Sequence, residues 1–429
     1  MPSLLVNAPR PFLSATLLAA LMASLVPGRA AGQAPQDTTA SSDVPPAPPP
    51  APSFEVSGAP GQGVTLRVGE GYSLNIRSRI QLRYQLAVPN GGAGGQRDLD
   101  QLVNVGTARL WLSGHIRVPE LTYMIQLAVA GRDFRDGAIS PIYDAYLDWR
   151  AHRDLSVRAG QFFVPFDRLR TVREWALQMG DRPRPVLELT LDRDMGVMLY
   201  SDHFLSDHSP VAWRVGVFGG GGTNLSQGRE PGALLVGRVE LRPLGEIDDD
   251  KEGDHQRRPQ PALALGAAIA WNANTNRVRS TTGTTLVGGT TDYTHVAVDL
   301  TLKWRGLALQ GEYLYRRASV DTLTSLADDG STRTEYTRSG QGYVVQGSYT
   351  FDPPFELVTR LSRMFAFAGT SPSFATEVRD RGQELAVGAN YYFDSHRLKL
   401  QADWVARMPS RFALARADHV VHVQLDLTL

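Results

Sequence analysis

The feature that most constrains this chain is a two-residue alternation of apolar and polar side chains, which begins near residue 72 and continues to the last residue. In Ser73–Leu86, Leu74, Ile76, Ile80, Leu82, Tyr84 and Leu86 fall on one face. Asn75, Arg77, Arg79, Gln81, Arg83 and Gln85 fall on the other. A helix would mix the two sets, whereas an extended strand separates them. The end of the chain does the same, with Val421, Val423, Leu425, Leu427 and Leu429 opposite His422, Gln424, Asp426 and Thr428. Sixteen such runs can be marked, at about 72–87, 102–117, 120–131, 140–150, 154–164, 194–201, 211–219, 232–242, 261–273, 291–304, 306–317, 340–351, 355–367, 382–393, 396–407 and 417–429. Most have the roughly 9–11 residues that a tilted strand needs to cross a bilayer.

The connections alternate in length. Odd ones such as 165–193, 274–290 and 318–339 are long, and most even ones are as short as Val118–Pro119, His152–Arg153 or Arg305. Long loops at one rim and tight turns at the other are the pattern of an outer-membrane barrel, and an even strand count closes the sheet without an edge. Two even connections, 202–210 and the acidic 243–260, depart from it, and the stretch Ile247–Asp254 (IDDDKEGD) is expected to be solvated surface. Aromatic residues gather at both rims. Trp149, Trp304, Phe351 and Phe393 lie beside short turns, and Tyr84, Phe163, Trp271, Tyr315, Phe365 and Trp404 near the opposite ends, as two interfacial belts would require. The fold class is therefore all-β, a transmembrane antiparallel barrel of about sixteen strands. A secreted sandwich or propeller, the competing all-β arrangement, would carry shorter strands and mid-strand aromatics.

Composition narrows the functions. The chain has 44 basic and 44 acidic residues and no cysteine. Net neutrality removes a broad electrostatic case for nucleic acid, and disulfides and thiolate metal sites are excluded. Only Lys251, Lys303 and Lys399 are lysines; the other basic residues are arginines, whose planar fork suits anions. Residues 1–34 read as a secretory signal, with Arg10, the apolar run Phe12–Val26 and small residues Ala30, Ala31 and Ala34 for cleavage. Residues 35–53 form a Pro/Ala/Ser-rich linker, leaving 54–429 for the outer-membrane barrel. No later segment is apolar enough to cross as a helix.

Several stretches resemble the phosphate-selective porin O and P family: GQFFVPFDRLRTVRE at 160–174 with DRDMGVMLYSD at 192–202, WRGLALQGEYLYRR at 304–317, GQGYVVQGSYTF at 340–351 with VTRLSRMF at 358–365, and ELAVGANYYFDSHRLKLQADW at 384–404. Their order and spacing also fit, and the resemblance covers roughly 72–429. It implies a sixteen-stranded outer-membrane porin, a homotrimer inserted by the barrel assembly machinery, with a constricting loop in the lumen and a preference for phosphate or other anions. The chain departs from the family in ending on Leu429 rather than an aromatic residue, and in lacking a clear basic cluster.

The expected function is passive diffusion of small hydrophilic solutes across the outer membrane. The connection at 165–193 is the candidate constriction. It carries Arg168, Arg170, Arg173, Arg182, Arg184 and Arg193 against Asp167, Glu174, Asp181, Glu188 and Asp192. Such a mixture suggests either a transverse field or mutual pinning. Inward parity adds Arg77, Arg79, Arg83, Arg109, Arg158, Arg214, Arg238, Arg397 and Lys399, and also Asp144, Asp148, Glu240, Asp299, Glu312, Asp403 and Asp426. A self-neutralised lumen is expected from that balance. Arg168→Glu or Arg170→Glu should then shift selectivity toward cations. No metal or cofactor motif occurs, and nothing brings the inward-facing His295 and Ser348 together, so an enzyme is not expected. The competing function is a plugged structural or adhesive barrel that works through loops such as 318–339.

Overall fold

The sixteen alternating runs are all strands, and each begins and ends within three residues of the limits set by periodicity. They are β1 (Tyr72–Val88), β2 (Asp100–Ile116), β3 (Val118–Ala128), β4 (Ile142–His152), β5 (Leu155–Phe163), β6 (Arg193–Ser201), β7 (Val211–Phe218), β8 (Ala233–Leu241), β9 (Ala262–Thr275), β10 (Thr291–Trp304), β11 (Leu307–Ala318), β12 (Gly340–Thr350), β13 (Phe355–Ala366), β14 (Gln383–His396), β15 (Leu398–Met408) and β16 (Asp418–Thr428). The computed structural model describes residues 53–90, 99–131, 133–134, 140–224, 232–327, 329–352, 354–409 and 411–429. The expected signal segment and all but the last residue of the linker lie outside them.

Each strand pairs antiparallel with the next, and β16 closes the ring on β1, from His419 opposite Val88 to Thr428 opposite Arg79. Closure satisfies backbone groups that an open edge would expose. Apolar side chains point outward, with Leu82 52% exposed, while its neighbour Arg83 is buried on the inner side. The turn between β10 and β11 shows how the chain reverses. Arg305 (φ 50) and Gly306 (φ 92) both take positive φ, the tight two-residue hairpin geometry that matches strand twist.

Ahead of the ring, Phe54–Ala59 and Gly63–Val68 form a hairpin whose second strand pairs with the start of β1, Val64 opposite Ile76 to Val68 opposite Tyr72. One side of β1 is thus shared between the hairpin and β16.

The lumen holds no open apolar core. The connection between β5 and β6 folds into it through two short helices, α1 (Arg168–Thr171) and α2 (Arg184–Leu189). Phe166, Leu169, Val186, Leu189 and Leu191 of this loop pack on inward-facing Met198, Leu234, Val236, Ala268, Ala297, Leu314 and Val344. Each large apolar side chain buried this way stabilises docking by about 1.5–3 kcal/mol. At the long-loop rim a helix, α3 (Pro372–Arg381), follows β13.

Three sequence expectations change. Phe163 does not join a belt: it ends β5 where the chain turns inward, and the Arg193 guanidinium lies 3.6 Å from its ring centre. Arg397 is not in the lumen. It lies in the turn between β14 and β15, just before the paired run of β15 begins, and bonds Asp394 and the Pro60 carbonyl there. The stretch Ile247–Asp254 is not simply solvated surface, because Ile247, Glu252 and Asp254 are buried while Asp250 is exposed.

Candidate functional site

The loop crosses the lumen because both its arms and its tip are tied to the wall. Asp167 caps α1, accepting from the Arg170 amide at 2.7 Å, and also accepts from the Thr190 hydroxyl at the far arm. Burial pushes its carboxyl up to about 6. Arg182 links the arms in another way. It donates to the carbonyls of Leu169 (3.1 Å), Arg170 (3.3 Å) and Val172. Burial, with Arg170 nearby, lowers Arg182 to about 10. At the tip, Lys399 donates to the Leu177 carbonyl (2.7 Å), Asn390 to the Gln178 carbonyl (3.0 Å), and the Gly180 amide to Asp403 (2.6 Å). The tip therefore reaches β14 and β15, on the wall opposite its root.

Between the loop and strands β1–β6 lies a narrow eyelet. A cavity of about 20 Å³ there, room for roughly one water, is lined by Arg79, Arg109, Arg170, Arg173, Arg182, Arg193 and Glu174, with Trp111, Tyr143, Phe163 and Trp175. Among the described residues, each arginine but Arg182 has a carboxylate in an ion pair. Arg79 pairs with Asp426 and Arg170 with Asp192; Arg109 pairs with Asp133 (2.6 Å) and Glu174 (3.2 Å). Asp144, fully buried, accepts from both Arg173 (2.8 Å) and Arg193 (2.7 Å). Asp133, Asp144, Asp192 and Asp426 do not line the cavity, so its charged lining is six arginines and one glutamate. The Nε donors of Arg79 and Arg109 are buried without a partner among the described residues.

On the short-turn side a separate cavity of about 410 Å³, which shares Phe163, Arg173 and Trp175 with the eyelet lining, is bounded by Arg158, Phe162, Met198, Arg214, Arg238, Glu240 and Asp249. Arg158 pairs with Asp148 at 2.9 Å and lies 4.5 Å from the Tyr146 ring centre.

The remaining candidate arginines serve other ends. Arg77 lies 5.8 Å from the Trp111 ring centre. Arg83 pairs with Asp181 (2.8 Å) and donates to Gln424 (3.0 Å) and the Gly180 carbonyl, which fixes the loop tip. Arg168 is held by Asp299 (2.7 Å), Glu240 (3.6 Å) and Asp249, so it anchors α1. Arg184 reaches Glu377 on α3 and lies outside the eyelet. Glu188 explains the far arm: burial opposes its ionisation, yet Arg316, Arg279 and Arg338 hold its carboxyl below the ordinary range. Loop and wall charges therefore meet in direct pairs rather than across an open gap.

Periodicity missed the aromatic clamp on Arg193, formed by Tyr143 (3.8 Å to the ring centre) and Phe163. Alternation places Tyr143 outward beside inward Asp144. It is the extra residue of a bulge, since Gln126 faces Asp144 and Leu127 faces Ile142. His295 and Ser348, both buried, are not joined: Ser348 accepts from Gln178 at 2.6 Å, and His295 packs on Phe166.

The model of the phosphate-selective porin O and P family matches residues 74–429, the whole ring but its first two residues. The chain belongs to that family. It is an outer-membrane porin, a channel by family and fold rather than an enzyme. Among solved structures it is similar to OmpF of Salmonella typhi in complex with daunomycin, with a TM-score of 0.54 at 13% identity over 84% of this chain and 98% of that one. It is also similar to a loop L8 deletion mutant of OmpT from Vibrio cholerae, with a TM-score of 0.52 at 10% identity over 84% and 100%. At such identities the likeness concerns the fold. No curated protein matches the chain by sequence. The porin's short-turn rim is the periplasmic one by the usual arrangement of such barrels.

Proposed function

We propose that this porin passes small hydrophilic solutes passively and favours small anions, inorganic phosphate among them. The path runs along β1–β6 through the eyelet. One observation carries the reading: the eyelet lining has six arginines and one glutamate, while most paired carboxylates stand behind it. A guanidinium has five donors in a fixed fork, so one bond to a carboxylate behind leaves others for a solute in front. With room for about one water, an anion must shed part of its hydration shell and replace it with these donors.

On the same reading, the mature chain begins after cleavage within residues 30–34, and residues 35–53 serve as a linker. The barrel is inserted by the assembly machinery and forms a homotrimer in outer-membrane lipid. Planar-bilayer reversal potentials under a salt gradient, with and without phosphate, test it. Anion-biased current blocked by phosphate is expected. Weakly selective, phosphate-insensitive current would leave a general porin and remove the role of the arginines.

A further inference from the structure

The lumen contains a second intruding segment, from the opposite rim. Most turns at this rim are short, whereas the one between β8 and β9 spans residues 242–261. It does not hang below the barrel. It crosses the periplasmic mouth from β8 to β14 and is held on every side by buried partners. Ile247 packs on Ala262 and Ala264 at its root. Lys303 of β10 donates to the carbonyls of Lys251 (2.7 Å) and Asp248, and Asp254 accepts from the Gly306 amide at 2.7 Å. Farthest in, Glu252 accepts from the Gln178 amide of the constriction loop (2.7 Å) and from Gln346 of β12 (3.0 Å). The His255 ring closes the far side, 4.3 Å from Tyr392 and 4.5 Å from His396 of β14.

These contacts place residues 251–255 under the half of the lumen walled by β10–β15, where the constriction loop tip rests on Glu252, while Asp249 and Asp250 line the edge of the larger cavity. The other half, along β1–β8, holds the eyelet and the larger cavity. We propose that residues 243–260 are a second constriction element, which closes the β10–β15 half of the pore and confines solute to the arginine-lined half. Its specificity-determining residues are Glu252 and Lys303. Glu252 sets the height of the loop tip, and Lys303 fixes the segment's backbone. A surface turn would not seat a carboxylate and an ammonium on buried backbone groups, because each must give up its hydration to do so.

The inference rests on the chain being a conducting porin, so the wild type is recorded in the same planar bilayers. The main variant replaces residues 246–256 with Gly-Ser-Gly; heat-modifiable gel migration reports whether the barrel has formed. A second variant, Lys303→Met, keeps the whole chain and frees the segment. Loss of the second element should raise single-channel conductance about twofold or more and weaken anion preference, because a second path beside the arginines opens. Lys303→Met should show excursions to the same higher level. The chain lacks cysteine, so His396→Cys reports cover directly. Its thiol should resist a charged reagent in the full-length chain and react in the deletion variant. A folded deletion variant with wild-type conductance and a still-protected thiol at position 396 overturns the proposal, as does a Lys303→Met trace identical to wild type. If the wild type passes no current and the deletion variant does, the segment is the closure and only the open-porin reading falls. If neither conducts, both fall.

Discussion

Replacing Asp144 with asparagine isolates the arrangement on which selectivity is argued to depend. The carboxylate is fully buried and accepts from Arg193 Nε at 2.7 Å and Arg173 Nη1 at 2.8 Å. Asparagine keeps the size, removes the charge, and turns one acceptor into a donor facing a guanidinium. Two unit charges about 4 Å apart interact by about 4 kcal/mol at an effective dielectric near 20, largely offset by desolvation. Breaking such a buried pair costs about 3–5 kcal/mol, because an uncompensated charge is left behind. The freed charge is one step from the eyelet, since Arg173 and Arg193 both line it. For an anion passing about 6 Å away at a dielectric near 40, the added attraction is about 1.4 kcal/mol. Screening at 0.1 M salt, with a Debye length of about 10 Å, trims this to about 0.8 kcal/mol, or about fourfold in local anion occupancy. Asp144→Asn should therefore raise the chloride-to-potassium permeability ratio about fourfold in reversal-potential measurements. Urea unfolding in lipid vesicles should show the loss of about 3–5 kcal/mol. A folded variant with an unchanged permeability ratio would refute the placement of the current path beside Arg173 and Arg193.

Other expectations follow from where the charges sit. Arg173 has the most solvent-facing side chain of the eyelet arginines in ion pairs, at 31% exposure, so Arg173→Glu should turn selectivity toward cations. Arg184→Glu should leave it nearly unchanged, because Arg184 faces Glu377 at the long-loop rim; a similar shift from both would argue against the eyelet. Arg168→Glu, which its place in the 165–193 connection nominates as a selectivity probe, should instead loosen the loop, since three carboxylates already surround that guanidinium. Arg182→Met removes the donor to three loop carbonyls and should cost about 2–4 kcal/mol of loop docking, seen as noisier current and new protease cleavage within 168–183. A quiet, protease-resistant loop would contradict it. His255 titrates with a definite sign. Burial lowers its pKa below 6.5, so a docked 243–260 segment favours the neutral ring. That contribution is fully present above the undocked value and is lost as pH falls below about 6.5, by up to about 1.4 kcal/mol per pH unit. Conductance should rise on acidification, and His255→Phe should abolish the rise; an equal rise in the variant would assign it to other groups.

The barrel was legible in the chain because membrane strands obey a strict period of two and a minimum length. Those rules act residue by residue. They located all sixteen strands, and also the inward acids and every inward arginine but Arg397, since facing is a local property. The signal for loop docking was present as well: Leu234, Val236, Ala268, Ala297, Leu314 and Val344 break the polar inner face where α1 and α2 rest. What periodicity could not supply was pairing across the lumen. Whether Arg168 meets a solute or three carboxylates depends on Asp299, Glu240 and Asp249, far away in sequence and set by closure and register. A bulge shifts facing without changing composition, which hid Tyr143 in the wall, and Arg397 was misplaced because β15 begins at Leu398, later than periodicity suggests. The acidic stretch at 247–254 looks solvated when read alone. Only the tertiary structure brings Lys303, Gly306 and Gln178 to its carbonyls and carboxylates, and buried partners decide where a charge rests. Sequence alone thus determined a closed barrel with a charged interior; the folded chain decided which charges face the solute and which hold one another.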